Sequence, residues 1–180
     1  MNSDPHHIQV NGKQFVIRSM VESDLPALEW EGEYTHFRNV YAQNFRSMQN
    51  GNLLIWVVED DKSLLVGQVF ILLLSQNKEI ADGIHRAYLF SFRIKPAYRN
   101  QGLGSSVIRF VEEDLKNRGF SSIRLNVARN NIKARRLYER SGYRVIGSDP
   151  GVWNYQDQNG NWQTVKEPAW KMLKLFSSSD

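Results

Sequence analysis

The sequence contains no cysteine, which removes disulfide frameworks, thiolate metal sites and a cysteine nucleophile together. It has no long apolar run either. The longest, such as Val69 to Leu74, fall far short of a membrane span, and residues 1–10 lack the apolar core of a signal peptide. The expected compartment is therefore the cytoplasm, with no membrane partner. Internal repeats, low-complexity tracts and interdomain linkers are also missing. What remains is a chain of 180 residues, 41% apolar and 23% charged, the composition of one globular domain. A single domain over 1–180 is expected, with its core at 14–176.

The two signs of charge are segregated. Arg93 to Arg144 holds 13 of the 23 basic residues and 4 of the 19 acidic ones, a net +9, while the rest of the chain carries a net −5. A stretch of that kind suits an anionic partner. Nucleic acid is one such partner, but no DNA- or RNA-reading module is visible in the sequence.

Apolar periodicity predicts a mixed α/β domain. Strands are expected at Phe15 to Met20, Leu53 to Val58, Leu64 to Leu74, Ala87 to Ile94, Ile123 to Val127, Tyr143 to Ile146 and Trp170 to Phe176. Helices are expected from Ser23-Asp24-Leu25-Pro26 onward, over much of Phe37 to Met48, over Ser105 to Arg118, and over Asn131 to Ser141. In the third of these, Val107, Ile108, Val111 and Leu115 mark a buried face, with Glu112 and Lys116 as an i, i+4 pair outside it. Asn159-Gly160 signals an extra hairpin near the C-terminus, with Trp153, Tyr155 and Trp162 around it. His6 and His7 are expected in a frayed terminus.

The most informative stretch joins the fourth strand to the third helix: Ile94-Lys95-Pro96-Ala97-Tyr98-Arg99-Asn100-Gln101-Gly102-Leu103-Gly104-Ser105. Amides at a helix start lack intrahelical acceptors and sit at the positive end of the helix dipole, so an anion placed there satisfies both. Glycines at 102 and 104 allow close backbone approach, and Arg99 adds a charged donor. A Walker loop is excluded because Ser105 follows Gly104 where lysine is required. A dinucleotide fingerprint is weak because Val107 stands where a third small residue belongs.

Arg99, Gly102 and Gly104 fit the pattern Gln/Arg-x-x-Gly-x-Gly/Ala, and Asn131, Ala134, Leu137, Tyr138, Gly142 and Tyr143 fit Asn-x-x-Ala-x-x-Leu-Tyr-x-x-x-Gly-Phe/Tyr. With both motifs in this order, the stretch from Leu89 to Tyr143 closely resembles the GNAT superfamily of N-acetyltransferases. The resemblance implies a mostly antiparallel central sheet of about seven strands flanked by helices, with the C-terminal hairpin as an addition. It implies acetyl-CoA as co-substrate, no metal, and transfer of the acetyl group to a primary amine of a small molecule, peptide or lysine. A V-shaped opening between the fourth and fifth strands would take the cofactor, with its arm on the backbone of Phe92, Arg93 and Ile94. The pyrophosphate would rest on Asn100, Gln101, Gly102, Leu103, Gly104 and Ser105, aided by Arg99, with Asn131 and Ala134 on the far side. Tyr138 would protonate the leaving thiolate as general acid.

The base stays open among Glu31, Glu33 and His85, with Glu33 as tentative base or acceptor contact. An alkyl amine is neutral in only about 1 molecule in 2,500 at pH 7, a deficit of about 4.6 kcal/mol that a base or water chain must relieve. The acids Glu22, Asp24, Glu29, Glu31 and Glu33, with no Lys or Arg between Glu22 and Tyr34, suggest a cationic acceptor. The hairpin aromatics suit either a satellite core, a wall of the acceptor pocket or a dimer contact, and a monomer or homodimer is expected. The alternative to an enzyme is a catalytically idle acyl-CoA-binding regulatory module of the same fold.

Overall fold

Asn11 and Gly12 take φ of 49° and 77°, the pair of positive values that a tight hairpin turn between right-twisted strands requires. In the computed structural model, which describes residues 4–176, this turn joins β1 (His6–Val10) to β2 (Lys13–Ser19). The two pair from His6↔Ile17 to Val10↔Lys13. The expectation of a frayed terminus is therefore corrected. Ile8 and Val10 alternate toward the core, and the His6 ring lies 5.0 Å from that of Phe110. The core begins earlier than residue 14 as a result.

The remaining strands are β3 (Leu53–Glu59), β4 (Leu65–Leu72), β5 (Arg86–Ile94), β6 (Ser122–Ala128), β7 (Arg144–Asp149), β8 (Val152–Gln156), β9 (Trp162–Lys166) and β10 (Ala169–Leu175). Eight of them form one sheet in the order β1-β2-β3-β4-β5-β6-β10-β7, and β8 with β9 form a separate ribbon. Only β5 and β6 run parallel. The count is eight where about seven were expected, because β1 adds to the edge. The expected opening between the fourth and fifth strands thus falls between β5 and β6.

Two apolar clusters divide the helices between the faces. On one face α2 (Leu103–Asn117) and α3 (Ile132–Arg140) bury Val107, Ile108, Val111, Leu115 and Tyr138 against Ala87, Leu89 and Leu125. On the other, α1 (Arg38–Gln49) and a 3₁₀ segment, Glu22–Gly32, bury Tyr41, Phe45 and Leu28 against Ile55 and Phe70. Pro26 sits inside the 3₁₀ segment, and Trp30 and Glu31, at φ of 47° and 56°, turn the chain toward α1. The expected helix at this point is thereby a kinked 3₁₀ stretch.

Glu112 departs from its expected role. Facing inward instead of outward, it is buried and takes Lys174 Nζ at 2.6 Å. Lys116 lies over the Phe176 ring. Burial raises the neighbouring Tyr143 phenol well above its ordinary value, and the Glu112 charge adds to this. Lys174→Met is expected to destabilise the protein by about 2–3 kcal/mol, because it strands a buried carboxylate. Urea melts check this, and a midpoint equal to the parent's would show that the Glu112–Lys174 pair contributes nothing to stability.

Candidate active site

The parallel pairing of β5 with β6 runs from Arg86↔Ser122 to Leu89↔Leu125 and stops, although β5 continues to Ile94 and β6 to Ala128. Neither strand is frayed at this point. β5 stays on β4 as far as Ile94↔Gly67, and β6 stays on β10 as far as Ala128↔Ala169. The sheet therefore opens in its interior and exposes backbone donors and acceptors along both sides of a wedge.

A bulge sets the geometry of that wedge. Register between β4 and β5 shifts at Gln68/Phe70, and Ser91 takes φ of 49°, a strained value for a residue with a side chain that costs about 1–3 kcal/mol. Regular alternation would put Phe90 and Phe92 on one face. Instead Phe90 packs in the α1 cluster and Phe92 in the α2 and α3 cluster. Past the bulge, Phe92 and Ile94 face the glycine loop while Arg93 faces α1.

At the loop, α2 begins at Leu103 and Gly102 precedes it with φ of 91°, a conformation that only glycine adopts without strain. The first backbone bond into the helix from outside is Ser106 N to Gly102 O. Among the described residues the amides of 100–105 donate to no protein acceptor, so the loop presents a row of free donors. A Cβ on Gly104 would come within 3.2 Å of Leu137 Cδ2, which ties the loop to α3. The β1–β2 turn braces the outside, where Asn11 Nδ2 donates to Gln101 O at 2.8 Å. Arg99 Nε donates to Ile94 O at 2.6 Å, holding the loop against the end of β5 and leaving the terminal guanidinium nitrogens for other partners. On α3, Lys133, Arg136 and Arg140 form no ion pair among the described residues.

Asn131 Oδ1 accepts from Ala134 N at 3.1 Å and so caps α3; only its Nδ2 is left for a ligand. Ala134 and Leu137 pack against the core. Tyr138 is buried, with its ring 5.5 Å from that of Tyr143. Burial raises its phenol pKa above the ordinary value, and the neighbouring Tyr88 adds to this. Tyr88 is itself pushed up to about 12, chiefly by burial. Tyr143 Oη is buried without a hydrogen-bond partner among the described residues, and the Tyr138 hydroxyl makes none there either.

Opposite the glycine loop lies an aromatic cluster. Phe37 stands 5.9 Å from Trp153 and 4.9 Å from Tyr155, and Asn39 Nδ2 donates to Asp157 O at 2.5 Å. The β8–β9 ribbon is thus tied to the start of α1, while Trp162 remains 71% exposed. Arg93 joins this cluster, its guanidinium 4.2 Å above the Tyr34 ring. Composition gave no sign of that side-chain position; the bulge that creates it shows in the β4–β5 register shift and the unusual φ at Ser91.

The expected acidic group is largely occupied. Asp24 pairs with Arg18 at 2.7 Å, Glu29 with Arg38 at 2.6 Å and Glu31 with Lys95 at 2.7 Å. The Arg38 bond holds the Glu29 carboxyl below its usual range. Glu22 and Glu33 are exposed and form no ion pair among the described residues. His85 lies at the far end of β5, where its carbonyl accepts from Ser121 and Ser122, about 20 Å from the bulge at strand spacing. No group of three or more metal-ligating side chains occurs among the described residues, and none of their helices is long and apolar enough to cross a membrane.

A family model described as the acetyltransferase (GNAT) family matches residues 17–143. Thialysine N-epsilon-acetyltransferase of Sus scrofa is 44% identical over 69 residues, which make up 38% of this chain and 41% of that protein; the match thus spans under half of that relative's length. [Ribosomal protein bS18]-alanine N-acetyltransferase of Escherichia coli (strain K12) is 25% identical over 127 residues, 71% of this chain and 79% of that one. The crystal structure of ribosomal-protein-S18-alanine N-acetyltransferase from Escherichia coli matches with a TM-score of 0.68 at 21% identity, covering 92% and 96% of the two chains. The spermidine/spermine N-acetyltransferase of Vibrio cholerae matches with a TM-score of 0.66 at 21% identity, covering 89% and 92%. At these identities the structural likeness shows the fold alone.

Proposed function

Because this chain belongs to the acetyltransferase (GNAT) family, we propose that it is an acetyl-CoA-dependent N-acetyltransferase acting on a primary amine of a small molecule, peptide or lysine. The observation that carries the reading is the juxtaposition of three features. The sheet parts beyond Leu89 and Leu125, free amides at 100–105 lie beside the parting, and the buried Tyr138 sits on the same face. A pyrophosphate fits the glycine loop, because the donors lack acceptors and a glycine at positive φ leaves room above them. Arg99, with Lys133, Arg136 and Arg140 nearby in sequence on α3, matches the charge of coenzyme A, so no nucleic acid need be invoked for the +9 stretch.

Acetyl-CoA, when bound, supplies the activated acyl group as a thioester. The chain's residues orient and polarise. Backbone of Phe92, Arg93 and Ile94, freed from β6, offers hydrogen bonds to the cofactor's arm, and an amide near Phe92 or Ile94 would polarise the acyl carbonyl. Asn131 contributes its Nδ2, and Ala134 leaves space on that side. Tyr138 holds its proton for the leaving sulfur. On the other face, Tyr34, Phe37, Trp153 and Tyr155 wall the acceptor's approach, and Glu33, exposed and free of ion pairs, receives the amine's proton directly or through water. The cytoplasm is the compartment proposed for this chemistry.

Release of free thiol from acetyl-CoA on addition of an amine library tests the reading. Acetyl-CoA binding without turnover of any amine would identify an idle acyl-CoA-binding module instead. For the acceptor wall, Tyr155→Ala is expected to raise the acceptor KM about tenfold through loss of buried aromatic contact while leaving acetyl-CoA affinity within about twofold. An acceptor KM unchanged in a folded variant would make the ribbon a satellite core only.

A further inference from the structure

Arg93 is a half-buried cation that forms no ion pair among the described residues. Nη1 donates to Tyr41 Oη at 2.9 Å and to Ser91 Oγ at 3.1 Å, and the guanidinium stacks 4.2 Å from Tyr34 and 5.4 Å from Phe37. Three acids of the same segment are engaged elsewhere, Asp24 by Arg18, Glu29 by Arg38 and Glu31 by Lys95, while Glu33 bears on the Tyr34 hydroxyl. Nε and Nη2 donate to nothing among the described residues. These are the two nitrogens whose parallel N–H bonds match the two oxygens of a carboxylate.

The placement is specific. The bulge at Ser91 turns Arg93 away from the glycine loop and toward the aromatic wall, so the free edge of the guanidinium borders the acceptor's path and not the cofactor's. Two hydroxyls and two rings fix it there, which lowers the cost of ordering it when a ligand arrives. A half-buried charge with neutral partners gains most from an anion placed against it. Burial raises the Tyr34 phenol against the opposing charge of Arg93, and the neighbouring Glu33 carboxylate adds to the rise, so this ring does not supply a negative charge to the guanidinium.

We propose that Arg93 reads a carboxylate on the acceptor, so that the substrate class is an amine that also carries a carboxylate, as in an amino acid or an ω-amino acid. This deepens the acetyltransferase reading and rests on it. It departs from the expectation of a cationic acceptor: the reacting amine is cationic before attack, and the far end of the molecule is anionic. Arg93 acts here as a specificity residue through its side chain, separately from its backbone contact with the cofactor.

The test uses matched amines with and without the carboxylate: lysine against cadaverine, ornithine against putrescine, and 4-aminobutyrate against butylamine. In the parent, kcat/KM for at least one carboxylate-bearing member is expected to exceed its partner's by about ten- to a hundredfold, the usual range for a charge-assisted pair. Arg93→Met is expected to bring that ratio to about one, whatever common loss both amines suffer. Arg93→Lys, which keeps the charge and loses the fork, should retain part of it. Equal treatment of every pair by the parent, or a ratio unchanged in Arg93→Met, overturns the proposal. If no amine is acetylated, titration of the same pairs into the protein saturated with acetyl-CoA decides it. Selective binding of the carboxylate-bearing amine, lost in Arg93→Met, upholds the carboxylate site and rejects catalysis; equal or absent binding rejects the site.

Discussion

Gly102→Glu is expected to lower acetyl-CoA affinity by about 10²- to 10³-fold and to remove turnover with it. The glutamate would stand where the loop's free amides converge, and like charges about 4 Å apart at an effective dielectric of 20 repel by about 4 kcal/mol. Space is not the obstacle, since a Cβ at this position meets only Val10 Cγ1, at 3.6 Å. Strain is the competing cause, because φ of 91° costs any side chain about 1–2 kcal/mol. Gly102→Ala carries the strain without the charge and separates the two. Calorimetry with acetyl-CoA should show Gly102→Ala within about tenfold of the parent and Gly102→Glu far weaker, with the gap shrinking in high salt. Equal affinity of parent and Gly102→Glu, both folded, would place the phosphates elsewhere.

How much of this was legible in the sequence depends on the range of the interaction that decides each feature. The β3 to β6 strands and the three α-helices follow from local apolar periodicity, and their ends fall close to expectation. β1 was missed although Asn11-Gly12 is the same signal that located the ribbon at Asn159-Gly160. The flanking His6, His7 and Gln9 are polar, and burial of Ile8 and Val10 depends on α2, which lies about 100 residues on. Glu112 was misread for a related reason: helical spacing offers Lys116 as partner, while the pairing that forms comes from Lys174 on the last strand.

In the site, glycine and tyrosine positions were legible because a free helix start and an acidic hydroxyl belong to particular residue types. The proposed acceptor side was not, because folding pairs several of its acids with partners remote in sequence. Reading Glu29 and Glu31 as available acids ignored Arg38 and Lys95, which only folding brings to them. The same holds for Asn131, whose side-chain oxygen is used in capping α3, so that only its Nδ2 is left for a ligand. Arg93 shows the converse: a strand residue assigned by its backbone acquires a separate side-chain role because a single bulge rotates it to the other face.

Tyr138→Phe is expected to lower kcat by about 10² to 10⁴, the usual effect of losing a general acid, with acetyl-CoA affinity within about twofold. The variant should fold normally. The phenol oxygen makes no hydrogen bond among the described residues, so its removal leaves no partner stranded, and the ring keeps its packing against Tyr143. Burial also fixes the sign of the pH dependence. Raising the phenol above its ordinary value of about 10 keeps the acid form present through neutral and mildly alkaline pH. In the parent, kcat should accordingly rise as the amine loses its proton and show no alkaline fall below about pH 10. The acid limb should persist in Tyr138→Phe, since it belongs to the amine and its base, while the level of the whole profile drops. Unaltered kcat in the variant would reduce Tyr138 to packing. An alkaline fall near pH 8 to 9 in the parent, absent from Tyr138→Phe, would mean that a cation or hydrogen-bond donor stabilises the phenolate and outweighs the effect of burial.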